Sequence, residues 1–192
     1  MNSDIVIPDS GYMVLIWNMF FKNKLKKMSG LEFMSHFLLQ GQKIERGQLL
    51  LINPSNFDGE INTTYLNTCN FKLDKIDNYT APFYTDNIRD LILLEKIENQ
   101  KPTWILINIG GGTQEKLGIF LKQNLSYSPA ILCTGAAIAF KTGRQGKMPN
   151  WIDQIYLGWL HRCFSNPKIF IPRYIKGFKL INIIFQYKSQ HI

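Results

Sequence analysis

Apolar positions in the first three quarters of the chain alternate between two patterns. Short, almost uninterrupted apolar runs at residues 4–8, 48–53, 104–109 and 129–133 predict buried strands, with a marginal strand at 71–79. Helical spacing between these runs predicts helices at 12–21, 29–39, 60–66 and 88–99. Strands that alternate with helices predict an α/β fold, namely a Rossmann-like, mostly parallel sheet with helices on both faces.

The pattern changes after Gly143. From there to the end of the chain only helical spacing is found, over about 151–164 and 172–187. We therefore predict two domains. The first is an α/β domain at residues 1–143, and the second is an all-helical, basic appendage at residues 144–192.

A run of three glycines follows the strand predicted at 104–109. The six residues that connect this strand to the next predicted helix are Gly110, Gly111, Gly112, Thr113, Gln114 and Glu115. Unpaired N–H groups and the positive end of a helix dipole suit an anionic ligand, and open α/β sheets bind ligands at this edge. The glycines are equally compatible with a simple tight turn, because they form neither a G-x-G-x-x-G fingerprint nor a Walker P-loop.

The charge of the chain is distributed unevenly. The net charge is +8, and residues 141–192 hold nine Lys/Arg and one Asp, so the rest of the chain is neutral. Aromatic residues are interleaved with these charges. This combination suits an anionic membrane surface or a polyphosphate ligand. Nucleic-acid binding and a solvated basic face are the alternatives, and the many aromatic residues fit the solvated face least.

Several classes of protein are disfavoured by composition. A hydrophobic content of 45% argues against disorder, and three cysteines without C-x-x-C spacing are typical of reduced thiols. No apolar run is long enough for a membrane span, and Asp4 and Asp9 interrupt any signal peptide. Without a D-x-D motif, a His/Cys/carboxylate cluster or a nucleophile elbow, we predict no metal and no cofactor. Any chemistry would depend on carboxylates and cationic groups.

Several motifs occur in the order found in a known family. Residues 110–115 (GGGTQE) resemble a G-x-P-x-Q-E motif, and 135–143 resemble a G-A-A-F-x-x-x-x-G block. Residues 149–174 are similar to successive P-x-W, W-x-x-R, P-x-R and R-Y elements. Upstream, 8–11 (PDSG) resemble a D-G segment, and 26–32 resemble E-R-V-x-G-x-D. Together these motifs resemble the WecG/TagA/CpsF glycosyltransferases (glycosyltransferase family 26). Compared with that family, the chain is expected to lack the first βα unit.

The resemblance implies an activity and a set of site residues. The activity is inverting, metal-independent transfer of an N-acetylmannosamine-type or related sugar from a UDP-sugar to a polyprenyl-diphosphate-linked glycan. Asp9 would be the general base and Gln114 would orient the donor. The residues expected to bind substrate are Gly110, Gly111, Gly112, Thr113, Glu115, Lys27, Gly135, Arg162 and Arg173.

The expected partners follow from the same resemblance. They are a UDP-sugar donor, a polyprenyl-diphosphate glycan acceptor and the anionic inner face of the cell membrane. The basic appendage at 144–192 would dock there from the cytoplasm and close over the active site. No nucleic-acid partner is predicted, because no nucleic-acid motif is found, and a homo-oligomer is compatible with the sequence. The alternative is a catalytically degenerate, membrane-associated partner subunit of a polysaccharide assembly complex. The short amino terminus favours that alternative, whereas Asp9, Gln114 and Arg162 favour an enzyme.

Overall fold

The computed structural model describes residues 3–85 and 87–144, together with a few isolated positions between 167 and 186. The chain divides into two compact units. Met1–Asp4 with Gly30–Gly146 form the first, which we call the sheet unit, and Ile5–Ser29 with Lys147–Ile192 form the terminal unit. Most of the appendage predicted at 144–192, including Arg162 and Arg173, lies outside the described residues. The predicted two-domain division therefore stays a prediction.

A four-stranded parallel sheet forms the centre of the sheet unit. Its strands are β1 (Leu49–Asn53), β2 (Asn78–Thr80), β3 (Trp104–Ile107) and β4 (Ala130–Cys133). Their order across the sheet is β2-β1-β3-β4, and all three neighbouring pairs are parallel. The predicted α/β fold with a parallel sheet is confirmed.

Five helices pack on the sheet. They are α2 (Gly30–Leu38), α3 (Asn56–Thr68), α4 (Leu91–Gln100), α5 (Thr113–Asn124) and α6 (Ala137–Lys141), with α1 (Gly11–Phe20) belonging to the terminal unit. Residues from α2, α3 and α6 pack with Leu49, Leu51 and Leu106. Residues from α4 and α5 pack with Leu50 and Ile52. Because successive strand residues point to opposite faces, each face of β1 has its own apolar core.

Three predicted elements differ from the structure. Residues 4–8 form no strand, and Ile5 and Val6 in that run are largely exposed. The marginal strand at 71–79 is reduced to the three residues of β2, which follow a 3₁₀ turn at Lys75–Asp77. The helix predicted at 60–66 is longer and begins at Asn56, because the Ser55 hydroxyl accepts the Asp58 N–H at 3.1 Å as a helix cap.

The described part of the terminal unit contains one helix of known bounds, α1, together with the segments before and after it. Val14 and Ile16 are buried, and the Ser10 hydroxyl caps the helix by accepting the Met13 N–H at 3.2 Å. Neither α1 nor any other helix in the described residues is long and apolar enough to cross a membrane.

Candidate active site at the carboxyl edge of the sheet

The strand order reverses between β1 and β3. The chain passes from β1 to β2 on one side, and from β3 to β4 on the other. The loops that leave the carboxyl ends of β1 and β3 therefore diverge and leave a crevice between them. In open α/β sheets this switch point is where ligands bind. The glycine turn predicted from the sequence, Gly110–Gly112, is the loop that leaves β3.

The glycine turn is both tight and open. Gly112 is the N-cap of α5 with φ +89°, and its N–H donates to Glu115 Oε2 at 2.5 Å. Gly110 and Gly111 are exposed, and a Cβ at either would meet nothing within 4 Å. The N–H groups of Gly111 and Thr113 have no acceptor among the described residues. These N–H groups lie at the positive end of a 12-residue helix, so the turn can accept an anionic group.

Gln114 joins the glycine turn to the loop that leaves β4. Its side chain is 7% exposed, its Oε1 accepts the Gly135 N–H at 2.7 Å, and its Nε2 donates to Glu115 Oε1 at 2.9 Å. Gly135 has φ +56°, and a Cβ there would lie 3.5 Å from Gln114 Nε2. The structure thus brings together all the predicted residues from Gly110 to Glu115 with Gly135. The amide of Gln114 therefore joins the loop after β3 to the loop after β4.

A buried asparagine network runs along the same edge and was not predicted from the sequence. Its centre is Asn53 at the end of β1, which is 1% exposed. Asn53 Nδ2 donates to Asn78 Oδ1 at 2.9 Å, and Asn53 Oδ1 accepts from Asn62 at 2.8 Å and from Asn108 at 3.1 Å. Asn108 Oδ1 accepts from the Thr134 hydroxyl at 3.2 Å. We call Asn53, Asn62, Asn78, Asn108 and Thr134 the asparagine network.

The asparagine network links all four strands through side chains. Asn78 opens β2, Asn108 directly follows β3, and Thr134 directly follows β4 and precedes Gly135. Each buried asparagine side chain in the network is hydrogen-bonded. The network therefore places polar groups beneath the crevice at little cost in stability, because these buried amides have hydrogen-bond partners. One sequence signal could have revealed it, since asparagine ends the apolar run 48–53 and is the only polar residue near the end of the run 104–109.

A shallow polar groove lies where β2 meets α3. Its volume is about 400 Å³, and the lining residues include Gly59, Lys75, Asn78 and Lys96. Lys96 Nζ donates to the Ile76 carbonyl at 2.8 Å, and burial lowers the pKa of this ammonium group. Because Asn78 both lines the groove and bonds Asn53, the asparagine network extends from this groove towards the glycine turn.

The first turn of α3 carries a charged cluster. Asp58 accepts from the Ser55 hydroxyl at 2.5 Å and forms an ion pair with Arg144 at 3.3 Å. The Arg144 guanidinium also lies 4.8 Å from the centroid of the Phe57 ring. These contacts attach the segment that follows α6 to the start of α3.

Asp9 and Lys27, the predicted base and a predicted cation, belong to the terminal unit. The Met28 N–H donates to the Pro8 carbonyl at 3.2 Å, so Asp9 and Lys27 lie on adjacent segments of that unit. Both side chains take part in further interactions. The N-cap of α1 is Ser10. Asp9, which precedes it, is therefore not the residue that caps this helix. The remaining predicted cations, Arg162 and Arg173, lie outside the described residues.

The fold and site define an α/β protein suited to an anionic ligand at the switch point of a parallel sheet. Comparison with known families makes the assignment specific, since the family described as Glycosyl transferase WecG/TagA/CpsF matches residues 1–191. The chain therefore belongs to the WecG/TagA/CpsF family of glycosyltransferases, which act in the synthesis of cell-surface polysaccharides. Comparison with curated proteins gives no match.

Proposed function

We propose that the protein transfers an N-acetylmannosamine-type or related sugar from a UDP-sugar to a polyprenyl-diphosphate-linked glycan. The observation that carries this proposal is the open glycine turn at the switch point, with N–H groups available at the start of α5. A diphosphate is the part of such a donor that this turn suits, because backbone N–H groups and a helix N-terminus both favour negative charge.

In the proposed reaction, the acceptor hydroxyl oxygen attacks the anomeric carbon with inversion. The Asp9 carboxylate takes the hydroxyl proton as the new C–O bond forms. The bond between the anomeric carbon and UDP breaks, and its electron pair leaves on the diphosphate. N–H groups of the glycine turn, together with Lys27, Arg162 and Arg173, stabilise this charge.

Gln114 and Glu115 support this reaction by organising the turn. Gln114 was predicted to orient the donor, and its bond to the Gly135 N–H fixes the loop that faces the glycine turn. Glu115 closes the first turn of α5 by accepting the Gly112 N–H. In this proposal both side chains act chiefly by holding the binding loops ready.

The proposed place of action is the cytoplasmic face of the cell membrane. The acceptor lipid is membrane-bound, and residues 147–192 contain seven Lys/Arg and one Asp. Such a segment suits attraction to anionic lipids.

A second candidate function is a catalytically inactive, membrane-associated partner subunit of a polysaccharide assembly complex. The observation that favours it is that the amide of Gln114 and both carboxylate oxygens of Glu115 already have partners within the chain. The two candidates differ in one measurable respect, since only the enzyme releases UDP in the presence of an acceptor.

The test is UDP release from UDP-N-acetylmannosamine, UDP-N-acetylglucosamine or UDP-glucose with a lipid-diphosphate sugar acceptor. We expect acceptor-dependent release that falls by about 10²-fold or more in Asp9→Asn, because general base catalysis is worth at least that much. Asp4→Asn is the matched control, since Asp4 is an exposed aspartate that pairs with Lys122. Equal release by the two variants would remove Asp9 from the mechanism. UDP binding without release by the wild type would support the partner subunit.

A further inference from the structure

The net positive charge of the protein belongs to one of its two units. The terminal unit contains eleven Lys/Arg and two Asp, which gives +9, whereas the sheet unit contains eleven Lys/Arg and twelve Asp/Glu, which gives −1. Four of the eleven basic residues in the terminal unit precede the sheet unit rather than follow it. They are Lys22, Lys24, Lys26 and Lys27. The basic character of the chain is therefore not restricted to its carboxyl-terminal quarter.

Exposed apolar side chains are concentrated in the same amino-terminal segment. Ile5, Val6, Leu15, Met19 and Phe20 are all exposed large hydrophobic residues within a span of sixteen positions. Leu15 and Met19 are four residues apart in α1 and therefore lie on one face of the helix. Met19 is 75% exposed. This helix has a solvent-facing apolar stripe, whereas its Val14 and Ile16 are buried.

Hydrogen bonds hold the lysine-rich loop against the end of α1. The Asn18 side chain bonds both backbone groups of Leu25, accepting its N–H at 2.7 Å and donating to its carbonyl at 2.9 Å. Trp17 Nε1 donates to the Asn23 carbonyl at 2.8 Å, and the Lys24 ammonium donates to the Asn18 carbonyl. The loop is thereby folded back against Trp17 and Asn18.

Three of the lysines that follow α1 are exposed, and their segment contains no acidic residue. They are Lys22, Lys24 and Lys26, and residues 10–31 contain no Asp or Glu. An exposed apolar stripe on α1 is thus followed directly in the chain by a positively charged loop that is bonded to the end of the helix.

We propose that α1 and residues 21–27 form a second membrane-contacting surface, which we call the α1 surface, for a bilayer that contains anionic lipids. Lysine ammonium groups beside an apolar stripe suit a bilayer, where the apolar side chains enter the headgroup boundary and the lysines meet lipid phosphates. A protein partner is disfavoured, because lysine is depleted at protein interfaces. The inference rests on the proposed function only in taking the membrane as the place of action.

The test is co-sedimentation of the full chain with vesicles of phosphatidylcholine, with and without phosphatidylglycerol. We expect Leu15→Ser/Met19→Ser to weaken partition onto the anionic vesicles by about tenfold or more. We expect Lys22→Gln/Lys26→Gln to weaken it roughly fivefold per lysine, an effect that high salt removes.

The controls carry the same changes in the sheet unit. Leu39→Ser/Ile92→Ser removes side chains that are 76% and 74% exposed, and Lys43→Gln/Lys72→Gln removes two exposed lysines. Both controls should bind vesicles like the wild type. Partition of Leu15→Ser/Met19→Ser at the wild-type level would overturn the proposal. So would a wild-type dimer that this variant dissociates without vesicles, since the stripe would then be a protein interface.

The assay separates this inference from the proposed function. Vesicle binding needs neither donor nor acceptor, so its result does not depend on transfer. UDP release measured in detergent with a short-chain acceptor needs no bilayer, and the α1 variants should keep it. Vesicle binding through the α1 surface without any UDP release would support the membrane-contacting surface and contradict the proposed sugar transfer.

Discussion

The carboxyl edge of the sheet and the segment formed by α1 and its following loop place polar and apolar side chains in opposite ways. In the sheet unit, Asn53, Asn62 and Asn108 are buried and hydrogen-bonded to one another at the carboxyl edge of β1 and β3. In the terminal unit, Leu15 and Met19 are exposed beside a loop of lysines. Buried, fully paired amides fix geometry, whereas exposed apolar side chains contribute little to folding and remain available to another surface.

The two proposals assign different tasks to the two units. The proposed diphosphate-binding turn lies in the sheet unit, whose charge is close to zero. The proposed membrane-contacting surface lies in the terminal unit, which carries the net positive charge and also holds Asp9. Substitutions at matched positions can test whether changes in the sheet unit mainly affect stability and changes in the terminal unit mainly affect membrane binding.

The largest effect on folding is expected from Asn53→Ala. This change removes the common partner of Asn62, Asn78 and Asn108, and it leaves buried amide groups without hydrogen bonds. We expect a loss of about 3 kcal/mol in the free energy of unfolding, measured by urea denaturation. Asn124→Ala is the control, since Asn124 is exposed at the end of α5, and it should change the free energy by less than about 0.5 kcal/mol. Similar losses for the two variants would contradict a structural role for the network.

Asp90→Ala should have the next largest effect. The Asp90 carboxylate caps α4 by accepting the Leu93 N–H at 2.9 Å, and it accepts the hydroxyls of Tyr79 at 2.8 Å and Tyr84 at 2.6 Å. Burial and these bonds to the carboxylate raise the pKa of Tyr84. We expect a loss of about 2 kcal/mol by thermal or urea unfolding. Asp90→Asn keeps an acceptor for the helix cap and should lose clearly less. A loss as large in Asp90→Asn would show that the charge and the acceptor oxygen for the two tyrosines, rather than the cap, are what matter.

Gln114→Ala is expected to cost about 1 kcal/mol in stability and to affect nucleotide binding more clearly. The change frees the Gly135 N–H from Oε1, so the loop after β4 is held less firmly to the glycine turn. We expect weaker UDP binding by calorimetry, with Gln123→Ala on the exposed side of α5 as the control. Unchanged UDP affinity in Gln114→Ala would mean that this bond does not organise the binding loops.

Met19→Ser should have the smallest effect on stability. The side chain is exposed, so we expect a change within about 0.5 kcal/mol by urea denaturation. A destabilisation of 2 kcal/mol or more would show that the exposed stripe of α1 supports the fold, and the contrast between the two units would then fail.

Much of the sheet was predictable because its strands are uninterrupted apolar runs. β1, β3 and β4 lie within the predicted ranges 48–53, 104–109 and 129–133. The run at 4–8 has the same composition but forms no strand, because composition alone cannot show whether a segment finds a partner to pair with. β2 was placed only roughly, since three residues at a sheet edge give almost no periodic signal.

The candidate site was predictable only where it is contiguous in sequence. The glycine turn could be located from residues 104–121, because strand, turn and helix follow one another directly. The asparagine network could not, since its hydrogen-bonded members are separated by up to 55 positions and meet only once the order β2-β1-β3-β4 is known. The exposure of Leu15 and Met19 was also hidden, because an apolar helix in the sequence is normally taken to be buried.

Gly59, at the carboxyl edge of the sheet, limits which substitutions related sequences can accept. A Cβ at position 59 would lie 3.2 Å from Asn78 Oδ1 and 3.4 Å from Asn53 Nδ2, so Gly59 leaves the room that these two amides occupy. The three positions cannot change independently. In related chains, a larger residue at the position of Gly59 should therefore be accompanied by a smaller one at the position of Asn78, and any graft of this edge into another scaffold must transfer Asn53, Gly59 and Asn78 together.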